Sequence, residues 1–287
     1  MTEARELSPM KLKDDKPKDE EQQAFGFVGP ANHRLRRGVY LLPSAFTVAN
    51  LLCGYYAVLA TLKGAPADLD NASRAIGFAI LFDAFDGFVA RATHTNTEFG
   101  KQFDSLADVV SFGIAPSILA FTWGVQALLA GDLPQSHHIS QLAWLVSLAF
   151  VICCAWRLAR FNVHGMAPGG LKYFVGMPCP AAAGMIAATV HFWKDPLDDW
   201  RWSIAWLALV LALAALMSST IRYPSFKGFP IGKRLHSVTI VIVAIAVWAI
   251  VVYSEQVLIL IATSYMVTGL TLHVFRLVRR RLAVRPA

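Results

Sequence analysis

The stretch "DAFDGFVARATHTNTEFGKQFDSLADVVSFG", residues 83–113, sets Asp83, Asp86, Asp104 and Asp108 between long apolar runs. Asp83 and Asp86 are three residues apart, and Gly87, Ala90 and Arg91 follow at helical spacing. At about 100° per residue these positions share one helix face, with Phe85, Phe88 and Val89 opposite. Asp104 and Asp108 are four apart, so they also share a face, and Ser111 joins them. The intervening "THTNTEFGK" is polar and contains Gly100, which reads as a turn between antiparallel helices. The spacing predicts a helical hairpin that aims four carboxylates at one small volume.

The chain around this hairpin is too apolar for an ordinary soluble domain: of 287 residues, 56% are hydrophobic and 16% charged. The hydropathy comes in blocks of about 20 residues, long enough to cross a bilayer core of about 30 Å as helices. Eight spans are expected, near 40–62, 73–92, 102–130, 141–161, 178–194, 202–221, 236–253 and 256–276. Strand alternation is absent, and the blocks are too long for barrel strands. The fold class is therefore an all-α polytopic membrane protein of about eight transmembrane helices.

Around that domain, read as residues 40–277, lie a disordered cytosolic tail of mixed charge (1–31), an interfacial helix (32–39) and a basic cytosolic tail (278–287). The N-terminal tail has no apolar stretch and is no cleavable signal. Cys53, Cys153, Cys154 and Cys179 lie in or beside apolar runs without metal-ligand spacing, so they read as small apolar residues.

The net charge is +7, and its placement orients the chain. With eight spans both termini share one side. Of 26 Lys and Arg residues, all but Lys63, Arg74, Lys194 and Arg201 fall on that side. The bias puts both termini and the acidic hairpin toward the cytoplasm, in a cytoplasmic membrane. Such a balance suits membrane lipids with anionic head groups. Nucleic acid is excluded, because no soluble segment interleaves aromatic and basic residues.

The energetic cost of the carboxylates indicates their use. One aspartate near the middle of a membrane helix costs about 2.5–3.5 kcal/mol, and four cost on the order of 10 kcal/mol before mutual repulsion. Arg91 is a single neighbouring positive charge. Two divalent cations, Mg²⁺ or Mn²⁺, would supply what is missing, because they take hard oxygen ligands and also grip diphosphates. Gly87 would let a ligand approach the helix backbone. Ion pairing with Arg91 and Lys101 is the structural alternative. A cation transporter is the functional one, since intramembrane aspartates also mark ion pathways.

The pattern Asp83-x2-Asp86-Gly87-x2-Ala90-Arg91-x8-Gly100-x3-Asp104-x3-Asp108 resembles the signature of the CDP-alcohol phosphatidyltransferases, with all eight fixed positions met. "LPSAFTVANLLCGYYA" (42–57), "DSLADVVSFGIAP" (104–116), "WRLARFNV" (156–163), "FVGMPCPAAAG" (174–184) and "STIRYPSFKG" (219–228) look like the phosphatidylserine synthase branch of that family. The resemblance implies the family's fold, a homodimer, and transfer of the phosphatidyl group of CDP-diacylglycerol to L-serine. It implies that Asp83, Asp86 and Asp104 hold the metals. Asp108 would complete the second metal's shell or act as general base. It also implies that Gly87 and Ala90 line the cytidine pocket while Arg91 contacts the diphosphate. Thr47 and Asn50 are nucleotide candidates, or else satisfy a neighbouring helix. Ser44 stands where relatives often carry Asn. For the serine carboxylate the candidates are Arg157, Arg160, Arg222 and Lys227, which are equally readable as positive-inside residues. Other acceptors, namely glycerol phosphate, inositol phosphate or choline, fit the same chemistry.

Overall fold

A computed structural model describes residues 33–93, 97–129, 136–164, 173–224 and 252–283. Long helices account for nearly all of them: α1 (His33–Lys63), α2 (Pro66–Thr93), α3 (Glu98–Asp108), α4 (Ala115–Leu129), α5 (Ser136–His164), α6 (Cys179–Trp193), α7 (Trp200–Ser218) and α8 (Ser254–Ala283). Residues 33–39, expected as an interfacial helix, lie in the first turns of α1. The breaks follow local chemistry. Gly64, at φ 74°, ends α1, and Pro66 opens α2 where a missing N–H costs nothing. Thr97 caps α3 by accepting from the Gly100 N–H at 3.0 Å, and Asp199 caps α7 from the Arg201 N–H at 3.0 Å.

Among the described residues, five segments are long and apolar enough to cross a membrane: Ala45–Lys63, Glu98–Val125, His137–Val163, Trp200–Ser218 and Ser254–Leu272. The chain is an integral membrane protein. Two more of the eight expected spans correspond to described helices. The helix α2 is long enough at 28 residues but carries Asp68, Asp70, Arg74, Asp83 and Asp86, and α6 is apolar but only 15 residues long. The expected span 236–253 lies almost wholly outside the described residues.

Small side chains bring the helices together, as expected where lipid is as apolar as the core. Ala72, Ala75 and Ala79 of α2 and Ala182, Ala183 and Ala187 of α6 are buried in one cluster, and these two helices pack on each other. Outward, Tyr55, Tyr56, Phe78, Phe85, Phe88, Trp144 and Trp156 are exposed, forming the surface that lipid would cover.

A short antiparallel ribbon interrupts the helical pattern. It pairs β1 (Tyr173–Val175) with β2 (Arg222–Pro224), setting Phe174 opposite Tyr223. Three residues per strand give no readable alternation, so sequence periodicity missed it. Gly176 follows β1 at φ 80°, and a Cβ there would lie 3.0 Å from the Ser219 carbonyl oxygen. Only glycine fits that corner.

Far from the acidic hairpin, a polar clamp joins α2, α6 and α8. Asp70 of α2 pairs with His191 Nδ1 of α6, and His191 Nε2 meets Ser254 Oγ of α8 at 2.8 Å. Arg74 pairs with Asp70 at 2.7 Å, and Lys194 with Glu255 at 2.5 Å. At about 1.5 Å per residue, Asp70 lies about 20 Å along α2 from Asp83.

Candidate active site

Three elements build the acidic centre. The helix α2 supplies Asp83 and Asp86, α3 supplies Asp104 and Asp108, and α1 hydrogen-bonds to one acid of each. Asp83, Asp104 and Asp108 each offer a carboxylate oxygen, and these oxygens lie within 4.8 Å of one another. Asp86 is turned elsewhere: its Oδ2 accepts a hydrogen bond from Thr47 Oγ1 of α1. The hairpin forms, but the three-residue offset on α2 gives its two carboxylates different neighbours, Asp83 facing α3 and Asp86 facing α1.

Asp108 is buried, and α1 fixes its orientation. Asn50 Nδ2 donates to Asp108 Oδ1 at 3.1 Å. The Asn50 carbonyl in turn accepts from Ser111 Oγ at 2.9 Å, so one residue of α1 holds both sides of the same turn. Gly54 permits this approach, because a Cβ there would stand 2.7 Å from Ser111 Cα. Thr47 and Asn50, read from sequence as nucleotide candidates, are therefore bonded to the motif carboxylates themselves.

The chain does not continue past Asp108 as an α-helix. Residues Val109–Ile114 form a π-helical turn, closed by the Ala115 N–H donating to the Val110 carbonyl. Single π turns are rare and concentrate at functional sites, where the extra residue per turn re-aims neighbouring side chains. Here the turn leaves Ser111 facing α1 and Phe112 in the core.

The donor set suits a divalent cation. Hard carboxylate oxygens around an ion at about 2.0–2.6 Å span no more than about 5 Å across, which matches the spacing seen. The fourth motif aspartate, Asp86, is buried one helical turn away.

The remaining candidates divide by their surroundings. Gly87 and Ala90 lie on α2, half-buried, one turn beyond the acids. Ser44, Arg91 and Arg222 sit on α1, α2 and β2, but their side chains fall outside the described residues, as does the whole of Lys227. Arg160 is engaged by backbone: its Nη2 donates to Val175 O at 3.1 Å and Ser219 O at 3.4 Å, and its Nη1 to Ser218 O at 3.4 Å. Arg157 is buried, with Nη1 donating to Cys179 Sγ at 3.6 Å.

Sequence reasoning passed over several further residues. Tyr223 of β2 stacks on Tyr265 of α8, ring centroids 5.6 Å apart. Gly269 of α8 makes room for the Tyr223 ring, which would meet any Cβ there. No local pattern announces such a pair. Asp70 and His191 were legible by the rule that singled out the motif, an ionisable residue at the edge of an apolar block.

Residues 40–214 match the family model of the CDP-alcohol phosphatidyltransferases. The chain is 32% identical over 195 residues to the CDP-diacylglycerol–serine O-phosphatidyltransferase of Helicobacter pylori (strain ATCC 700392 / 26695), covering 66% of this chain and 74% of that one. It is 35% identical over 172 residues to the enzyme of the same name from Methanocaldococcus jannaschii, covering 60% and 73%. Archaetidylserine synthase of Methanothermobacter thermautotrophicus is 34% identical over 189 residues, covering 65% and 71%.

Proposed function

The chain belongs to the CDP-alcohol phosphatidyltransferase family, and on that footing we propose that it transfers the phosphatidyl group of CDP-diacylglycerol to the hydroxyl of L-serine, giving phosphatidylserine and CMP. The observation that carries the reading is the buried Asp108, gathered with Asp83 and Asp104 and aimed by Asn50. A serine hydroxyl is a weak nucleophile at neutral pH and needs a base within hydrogen-bond reach. Asp108 takes that proton through one carboxylate oxygen while the other stays on Asn50. The serine oxygen then attacks the lipid-side phosphorus, and the bond to the CMP oxygen breaks. No covalent enzyme intermediate is needed.

Asp83, Asp104 and Asp108 would hold Mg²⁺ or Mn²⁺, with Asp86 completing a second site. Bound there, the ions would offset the acids' charge and steady the charge on the diphosphate and leaving CMP. Gly87 and Ala90 border the cytidine, and Arg91 meets the diphosphate. Thr47 and Asn50 serve the nucleotide site chiefly by setting Asp86 and Asp108, and Ser44 lies one turn earlier on the same helix.

Both termini and the acidic centre face the cytoplasm in this reading. The orientation follows from the count of Lys and Arg on each side. The reading includes eight spans and a homodimer, testable by accessibility labelling and by the mass of the purified protein.

The deciding experiment supplies purified protein with CDP-diacylglycerol and measures CMP with and without L-serine. Serine-dependent CMP with phosphatidylserine as co-product is expected. CMP release that follows glycerol phosphate or inositol phosphate but ignores serine would overturn the acceptor.

A further inference from the structure

We infer that Arg157 recognises the acceptor's carboxylate, assisted by the Tyr223 hydroxyl, in a buried polar pocket beside Asp108. The inference rests on the serine-transfer reading and names the residue that selects an amino-acid alcohol.

Arg157 is 9% exposed, on the fifth helix of a membrane protein. Among the described residues its Nη1 has only the weakly accepting thiol sulfur of Cys179 as a partner, at 3.6 Å, and its buried Nε has no hydrogen-bond partner. Among the described residues no carboxylate pairs with it. A buried guanidinium without a counter-charge is costly, because desolvation is repaid only by an anion in good geometry. Arginine is the side chain best shaped for one anion in particular, since its planar fork matches a carboxylate.

The neighbours locate the missing anion. Cys179, which Arg157 touches, donates to the Cys154 carbonyl at 3.7 Å, and Cys154 lies beside Gly113 of the π turn. Further along α5, Asn162 Nδ2 donates to Ser105 Oγ of α3 at 2.9 Å, so Arg157 lies between two contacts of α5 with the stretch that carries Asp108. Tyr223 stacks on Tyr265, and the ribbon that carries it is held by Arg160, one turn along α5 from Arg157. The Tyr223 hydroxyl is buried and, among the described residues, has no hydrogen-bond partner. Two unused donors, Arg157 Nε and Tyr223 Oη, thus share one buried neighbourhood next to the group that must reach the acceptor's hydroxyl. An α-amino acid with a β-hydroxyl carries its carboxylate and its hydroxyl on adjacent carbons, so a cation that binds the one lies near the base that serves the other.

Arg160 does not compete for the role. Its donors hold Val175, Ser218 and Ser219, binding the end of α5 to the ribbon and to the end of α7. That latch sets β2, and β2 carries Tyr223. Arg160 is a positioning residue for the pocket.

The test measures KM for L-serine and for CDP-diacylglycerol separately in purified wild-type, Arg157→Gln and Tyr223→Phe enzymes. In Arg157→Gln the serine KM should rise about 10- to 100-fold, the loss expected for a charge-assisted hydrogen bond, while the CDP-diacylglycerol KM stays unchanged. Tyr223→Phe keeps the ring stack and removes only a hydroxyl without a protein partner, so it should fold at least as well as wild type. Its serine KM should rise severalfold, which decides the matter if Arg157→Gln does not fold. A rise in the CDP-diacylglycerol KM instead would assign Arg157 to the diphosphate and overturn the inference. So would a serine KM that neither variant moves, with serine-dependent CMP release intact. Wild-type enzyme that shows no serine-dependent CMP would overturn the functional reading itself, and this inference with it.

Discussion

Asn50 and Asp108, 58 residues apart in sequence, meet at 3.1 Å, the amide of α1 donating to the carboxylate that ends α3. The same carboxylate is gathered with those of Asp83 and Asp104, one oxygen of each lying within 4.8 Å of the others. It makes the first apolar helix part of the site rather than a mere membrane anchor. Losing the amide should therefore impair catalysis without unfolding the chain. Asn50→Ala is expected to lower kcat about 10-fold or more with a small change in melting temperature, and an unchanged kcat would show that α1 does not aim the base.

Asp108→Asn tests the base directly. The variant keeps the shape of the side chain and one oxygen to accept from Asn50, so it should fold. Turnover should fall by about 100-fold or more, in the range that general-base loss produces. Near-normal CMP release from this variant would remove Asp108 from the chemistry.

Metal removal should silence the enzyme. Three carboxylate oxygens within 4.8 Å repel one another when nothing lies between them. Chelation with EDTA is expected to abolish CMP release and to lower the melting temperature, and added Mg²⁺ or Mn²⁺ should restore both. Full activity after exhaustive chelation would contradict a metal role for Asp83, Asp104 and Asp108.

Gly54 should tolerate no side chain. A Cβ would press on Ser111 Cα at 2.7 Å, which is backbone of the π turn and cannot rotate away. Gly54→Ala is expected to destabilise by about 1–3 kcal/mol and to reduce activity, because α1 is pushed off the turn that follows Asp108. Gly77, where a Cβ meets nothing within 4 Å, is the control, and Gly77→Ala should be silent. Equal melting temperatures for the two variants would show that the close approach of α1 does not matter.

The clamp at the other end of α2 is structural in this account. His191→Ala removes the buried bridge between Asp70 and Ser254, with an expected loss of about 1–3 kcal/mol. KM values for both substrates should stay near wild type, since the clamp lies about 20 Å from Asp83. A variant that is stable but catalytically impaired would refute that separation.

What the sequence determined by itself was whatever depends on spacing along one helix or on composition over a window. The lengths of the apolar blocks marked the membrane helices, and the intervals among Asp83, Asp86, Asp104 and Asp108 marked the hairpin, because a helix converts spacing into direction. Tertiary structure decided how those directions are met. It sent Asp86 to Thr47 and Asp83 to Asp104 and Asp108, bent the chain into a π turn after Asp108, and separated Arg157 from Arg160 by giving the latter three carbonyls. It also brought Tyr223 onto Tyr265 across a ribbon too short to show a period. Each of these depends on which element lies opposite, and the energy of a buried polar group depends on its partner rather than on its position in the chain.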